Sequence, residues 1–257
     1  VVAGPSQQVN QSVINSLSIN NVTSAIGGAD PMTQDEIRNY ISFNFAAQKR
    51  AVTINDYVSQ LRTMPSSFGS PAKASATEIE NKIKLSVLSY TPGGTLTSNV
   101  SSTLKNNIAT YLSNHRMIND YIMVGSAKVI DLRLEIDLII ANGVNQSEVV
   151  TSVISIVGEY FKTDKIEMGQ DLALGELRKQ IMNQDGVVNI VDVRVYNQVG
   201  DPYSQSVSTQ PYINATTKQI GLIDDTIFAQ PDEILQIMSP QKDISVRTKR
   251  NTKPTFS

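Results

Sequence analysis

Ile130-Asp131-Leu132-Arg133-Leu134-Glu135-Ile136-Asp137-Leu138-Ile139-Ile140 alternates aliphatic and charged side chains almost to its end. A period of two puts Ile130, Leu132, Leu134, Ile136, Leu138 and Ile140 on one face of a β-strand and Asp131, Arg133, Glu135 and Asp137 on the other. Such a strand belongs to a sheet with one face on a core and one in water. Two further stretches share the period. Ile79, Ile83, Leu85 and Val87 alternate with Glu78, Glu80, Lys82, Lys84 and Ser86, and Val187, Val191, Val193 and Val195 follow an Asp185-Gly186 turn.

Between these strands the period changes to 3.6. Val100, Leu104, Ile108, Tyr111 and Leu112 predict a helix over about 98–115, after the Pro92-Gly93-Gly94 turn. Val149, Val150, Val153, Ile154, Val157, Tyr160 and Phe161 predict another from about Gln146, and Leu174, Leu177 and Ile181 a third. The order strand, helix, strand, helix, helix, strand predicts an α+β fold. Its expected form over residues 71–197 is a two-layer sandwich with helices on one face of a mostly antiparallel or mixed sheet. Residues 1–70 read as the end of a preceding domain with two short capped helices. Residues 198–257, with prolines at 202, 211, 231, 240 and 254, read as an extended arm.

Composition bounds the function. The chain has 257 residues, 40% of them hydrophobic, which suffices for a core, and a net charge of −2, which gives no broad attraction to nucleic acid or anionic lipid. Zero cysteines exclude disulfides, thiolate zinc sites and cysteine nucleophiles. No stretch has the length of a membrane span, and no signal peptide is visible. The chain opens on Val1 without methionine, so we expect it to continue a longer product whose remainder shares the first domain.

Two helix starts stand near the N-terminus. In Gly27-Gly28-Ala29-Asp30-Pro31-Met32-Thr33-Gln34-Asp35-Glu36-Ile37-Arg38, Thr33 and Glu36 have the spacing of a capping box, and the helix is expected to run to about Lys49. In Arg50-Ala51-Val52-Thr53-Ile54-Asn55-Asp56-Tyr57, Thr53 and Asp56 repeat the cap, predicting a second helix over about 54–63. Together these segments resemble the J-type baseplate family of contractile phage tails, which carries GG-D-P-x-[ST]-x-x-E-[IL]-R and then [KR]-A-V-T-x-x-D-Y. The residues that carry the likeness are Gly27, Gly28, Asp30, Pro31, Thr33, Glu36 and Arg38, then Arg50, Val52, Thr53, Asp56 and Tyr57. It extends less tightly to about Tyr196 and lies nearest the inner-ring wedge members of T-even phages. The resemblance implies a non-enzymatic structural subunit of the tail baseplate, assembled in the host cytoplasm. It implies association with itself as a dimer or ring, and with other baseplate wedge proteins, without cofactor or small-molecule substrate.

Sites of chemistry do not emerge. Asp131 and Glu135 stand about 13 Å apart by strand rise, too far to share an ion, so the charged face reads as solvated. His115 is the only histidine and falls where a helix ends, a place for a group that helps the last carbonyls. Gly27-Gly28 and Gly93-Gly94 lack phosphate-loop spacing, and Asp224-Asp225 reads as a hairpin turn rather than a catalytic pair. The candidate interface is the arm. Ile220, Leu222, Ile223, Ile227, Phe228, Ile234 and Leu235 come in short bursts suited to burial on a partner or back on residues 71–197. The basic end, Lys242, Arg247, Lys249, Arg250 and Lys253, reads as a solvated tail. Two other functions compete: a nucleic-acid module, which needs stacking aromatics on the open sheet, and a tail hydrolase, which needs a paired acid and base.

Overall fold

The computed structural model describes residues 50–80, 82–209 and 212–251. The class is α+β with open sheets, and its strands divide between two main sheets, each with its own hydrophobic core.

The first unit begins with helix α1 (Ile54–Arg62) and a 3-10 turn (Ser66–Phe68). Strands β1 (Lys73–Ile79) and β2 (Lys82–Tyr90) pair antiparallel from Lys73↔Leu88 to Ile79↔Lys82. A short β3 (Leu96–Thr97) pairs with the end of β2; helix α2 (Ser102–Ser113) then crosses over to β4 (Tyr121–Ser126), parallel to β2. Ile83, Leu85 and Val87 of β2 pack with Tyr57 and Leu61 of α1 and with Leu104, Ile108 and Leu112 of α2. Residues 51–64 therefore share a core with β2 and α2 instead of closing a preceding domain at about residue 70. The strand expected from Ile79 is two strands: Glu80 turns the chain with φ of 49°, and Ile79 ends β1 with 49% exposure.

The second unit is organised on β5 (Lys128–Ile140), whose six alternating aliphatics are all buried. Antiparallel β7 (Val187–Gln198) lies along one edge of it. Helices α3 (Gln146–Tyr160) and α4 (Leu174–Met182) bury Val149, Val153, Val157, Leu174, Leu177 and Ile181 in the same core. The Asp185-Gly186 turn needs its glycine: φ is +88°, and a Cβ there would stand 2.7 Å from Val144 Cγ1. The alternation in β7 is interrupted. Pairing steps from Asp137↔Asp192 to Leu138↔Ile190, so Val191 is an extra residue, and it is 56% exposed instead of facing the core beside Val193 and Val195.

The segment expected to be an extended arm completes this sheet. Beyond β6 (Leu172–Ala173), which pairs with β9 (Thr226–Ile227), and β8 (Gln219–Ile220), which pairs with β7, come β10 (Glu233–Gln236), a one-turn helix α5 (Pro240–Asp243) and β11 (Ile244–Arg250). Both β10 and β11 run parallel to β5 along the edge opposite β7. Pro231 precedes β10 and Pro240 opens α5, so neither removes a donor from a strand.

Candidate interaction surfaces

Of the two N-terminal motif segments, Gly27, Gly28, Asp30, Pro31, Thr33, Glu36 and Arg38 lie outside the described residues. The second segment is a knot of caps and tethers. Thr53 Oγ1 accepts from Asp56 N–H, and Asp56 Oδ2 accepts from the N–H groups of Thr53 at 2.8 Å and Val52 at 3.0 Å. Both halves of a capping box are thus present, with Asp in place of Glu. Ala51 N–H donates to the His115 carbonyl at 2.8 Å, and the buried Tyr57 donates its hydroxyl to Asp120 Oδ2. Burial and the Asp120 bond together push the Tyr57 phenol well above its ordinary value, keeping it a donor. Arg50 and Val52 are exposed. The motif ties the start of α1 to the loop between α2 and β4.

His115 belongs to the same knot. Its Nδ1 lies 2.9 Å from the Tyr111 carbonyl, one of the last of α2, and its ring stands 4.5 Å from that of Tyr111. This is a helix-ending role.

The seven arm residues divide. Ile220, Ile227, Ile234 and Leu235 are buried in the second core, and Leu222 packs against it, so most of the expected interface is occupied by the chain itself. Ile223 and Phe228 keep 36% exposure each. The physical reason is burial: four aliphatics on β8, β9 and β10 are stabilised by roughly 1.5–3 kcal/mol each, as β8 pairs with β7, β9 with β6 and β10 with the edge of β5 opposite β7. Asp224 and Asp225 form the two-residue turn of a tight hairpin at φ of 50° and 56°, with Thr226 N–H donating to the Ile223 carbonyl at 2.9 Å. Asp225 also takes Arg178 Nε at 2.8 Å. The basic end is likewise structured: Arg247, Lys249 and Arg250 are exposed on β11.

The charged face of β5 is paired rather than solvated. Arg194 of β7 reaches Asp137 at 2.9 Å, Asp192 at 3.0 Å and Glu135 at 3.4 Å, while Arg247 approaches Glu135 from β11 at 3.7 Å. Arg133 lies over the Tyr196 ring, 4.6 Å from its centroid, so the aromatic on this face is covered by a cation of the same sheet. Asp131 is only 1% exposed, against the expectation of a wet face, because residues after β7 fold over it. No group of acidic or histidine side chains among the described residues could hold a metal ion.

An exposed apolar patch lies on the first unit. Ile118 is 97% exposed, and with Met117 it precedes the exposed Tyr121 and Met123 of β4, a strand that among the described residues pairs only with β2. The sequence carries a signal for it, since Met117-Ile118 stands between His115-Arg116 and Asn119-Asp120.

No helix among the described residues is long and apolar enough to cross a membrane. No protein-family model matches the chain, and no curated protein matches it in sequence. Among solved structures, a chain of the anti-feeding prophage baseplate, determined by cryo-electron microscopy with six-fold symmetrisation, is similar at 11% identity and a TM-score of 0.49. The match covers 80% of this chain, which spans 41% of that neighbour's length.

Proposed function

We propose that this chain is a structural subunit of a contractile phage tail baseplate wedge, and that copies of it self-associate around the central hub. The observation that carries the proposal is the joint order of Gly27 to Arg38 and Arg50 to Tyr57, in the family's spacing. Its task is mechanical: to hold the ring closed before infection and to pass a rearrangement of the baseplate inward to the sheath. Its partners are further copies of itself and other wedge proteins. Its place is the virion tail, after assembly in the host cytoplasm. Such interfaces must be strong yet able to shift, the property of bistable packed contacts.

The test is to label purified contractile tails with a gold-conjugated antibody against residues 50–251. Gold at the baseplate end is the expected outcome, and gold elsewhere on the particle, or none, overturns the proposal. Light scattering on the purified chain tests self-association separately: a dimer or larger closed species is expected, and a monomer at every concentration removes the ring from the proposal.

A further inference from the structure

Residues 199–209 form neither helix nor strand, yet they lie across the outer face of the second sheet as a strap. Three buried carboxylates from three elements hold it. Ser204 N–H donates to Asp131 Oδ2 of β5 at 2.7 Å, the Tyr203 hydroxyl donates to Asp243 Oδ1 of α5, and the Thr209 hydroxyl donates to Glu233 Oε1 of β10 at 2.9 Å. Ser208 N–H adds a bond to Asn197 Oδ1 of β7 at 2.8 Å. Glu233 has a cation nearby, Lys128 Nζ at 3.6 Å. Asp131 makes no ion pair among the described residues. Its second oxygen accepts from Gln236 Nε2 at 2.8 Å, and the charge felt from α5 is the like charge of Asp243.

We propose that Asp131 is a proton-linked latch: a proton on its carboxyl fastens the 199–209 strap over the sheet, and its loss loosens the strap. The donors around Asp131 suit either state. Protonated at Oδ1, the carboxyl donates to Gln236 once that amide turns its oxygen inward, and Oδ2 still accepts from Ser204. Repulsion from Asp243 is then gone. Ionised, Asp131 keeps both hydrogen bonds but carries an uncompensated buried charge beside a second carboxylate. The groups facing this cluster are Asp243 from α5, Gln236 from β10, Asn197 from β7, Tyr203 from the strap and Arg133 from β5 itself. Burial drives the Asp131 carboxyl above its ordinary 3.8, against the Ser204 and Gln236 bonds, while the hydrogen bond to Asp243 pushes Tyr203 up to about 12 and so keeps it a donor.

The direction follows from linkage. An open strap returns Asp131 to water and to its ordinary value, so the closed form binds the proton more tightly. Closure is tightest below 3.8. It weakens by up to about tenfold per pH unit as pH rises to the value Asp131 has when covered, and it is level above that.

Hydrogen exchange of the Ser204 amide, measured by NMR on the whole chain from pH 4 to 8 with the Val153 amide in α3 as reference for global opening, reads this equilibrium. We expect Ser204 protection to fall with rising pH independently of Val153. Asp131→Asn should make Ser204 protection level with pH, because the introduced amide can donate to the turned Gln236 and accept from Ser204 without a charge. Tyr203→Phe should lower Ser204 protection at every pH and keep its slope, whether or not the Asp131→Asn variant folds. A level profile in the unaltered chain, an unchanged slope in Asp131→Asn, or a slope lost in Tyr203→Phe overturns the latch.

Discussion

The first and second units use the same materials, an amphipathic sheet with helices on its apolar side, but assemble them over different spans of chain. In the first, β1 and β2 are consecutive and one crossover helix returns the chain to β4, so among the described residues its own core is built within 51–124. In the second, Asp131 and Gln236, paired in the β5–β10 register, stand 105 residues apart. Among the described residues the first unit leaves the outer edge of β4 unpaired beside an apolar patch, whereas the second has its charged face spanned by ion pairs and a strap. In the second unit long-range pairing covers the edge of β5 and makes β10 and β11 the edge of the sheet. The lesson is that the second unit depends on its last strands to exist, and the first does not.

Truncation after Gln198 tests that dependence most severely. It removes β8 to β11, and with them Ile220, Ile227, Ile234, Leu235 and Ile244 from the core. We expect the second unit to lose cooperative melting and β5 to be left with an unpaired, aliphatic-backed edge that aggregates. Retention of the full circular dichroism and melting profile would return residues 198–251 to the status of a separable arm. A smaller blow to the same unit is Ile136→Ala, at a fully buried position in the middle of β5. Its expected cost is about 2–5 kcal/mol by urea denaturation, confined to the transition of the second unit.

The corresponding break in the first unit is milder. Thr53→Ala removes the side-chain half of the α1 cap while Asp56 keeps its bonds to the N–H groups of Val52 and Thr53. A loss of about 1 kcal/mol is expected, read as earlier melting of the first unit alone. A matching shift in amide protection of β5 would mean that the two units melt as one.

What was legible in the sequence tracks the same division. The strand at 130–140 and the helices at α2, α3 and α4 were read correctly because one face of each meets an apolar core, and periodicity reports that directly. The Thr53-Asp56 cap was legible because all its partners lie within four residues. Three features had no local signature. Glu80 turns the chain at positive φ with no glycine to announce it. Val191 breaks the alternation by a bulge visible only against the partner strand. The prolines of the last sixty or so residues suggested an arm because proline counts against a strand, but Pro231 and Pro240 stand at the ends of elements, where that penalty disappears. The parity of its position puts Asp131 on the wet face, and nothing near it in sequence reveals that residues 199–209 cover it.

Where the two units meet, polar contact supplements the apolar one formed by Leu88 and Leu96, and this is where the smallest effect is expected. Lys84 of β2 reaches Asp232, the residue before β10, at 3.0 Å, and Asp232 also gives its carbonyl to Lys128 N–H at 2.8 Å. Burial raises the Asp232 carboxyl, but the Lys84 hydrogen bond and the charges of Lys128 and Lys84 outweigh it and hold the group below its ordinary 3.8. A depressed carboxylate contributes stability that is complete above its unfolded value and is lost as pH falls through the folded one, so this contact is intact at pH 7 and begins to weaken as pH falls below 3.8. Both side chains keep partial access to water, which limits the gain to less than about 1 kcal/mol. Lys84→Met should therefore lower stability slightly at pH 7, measured by urea denaturation in low salt, and the difference from the unaltered chain should shrink as pH falls below 3.8. A difference that persists at low pH would place the effect in the packing of the lysine stem against the junction, leaving Arg62 and Lys73 on Glu167, at 2.7 and 3.3 Å, as the polar ties between the two units.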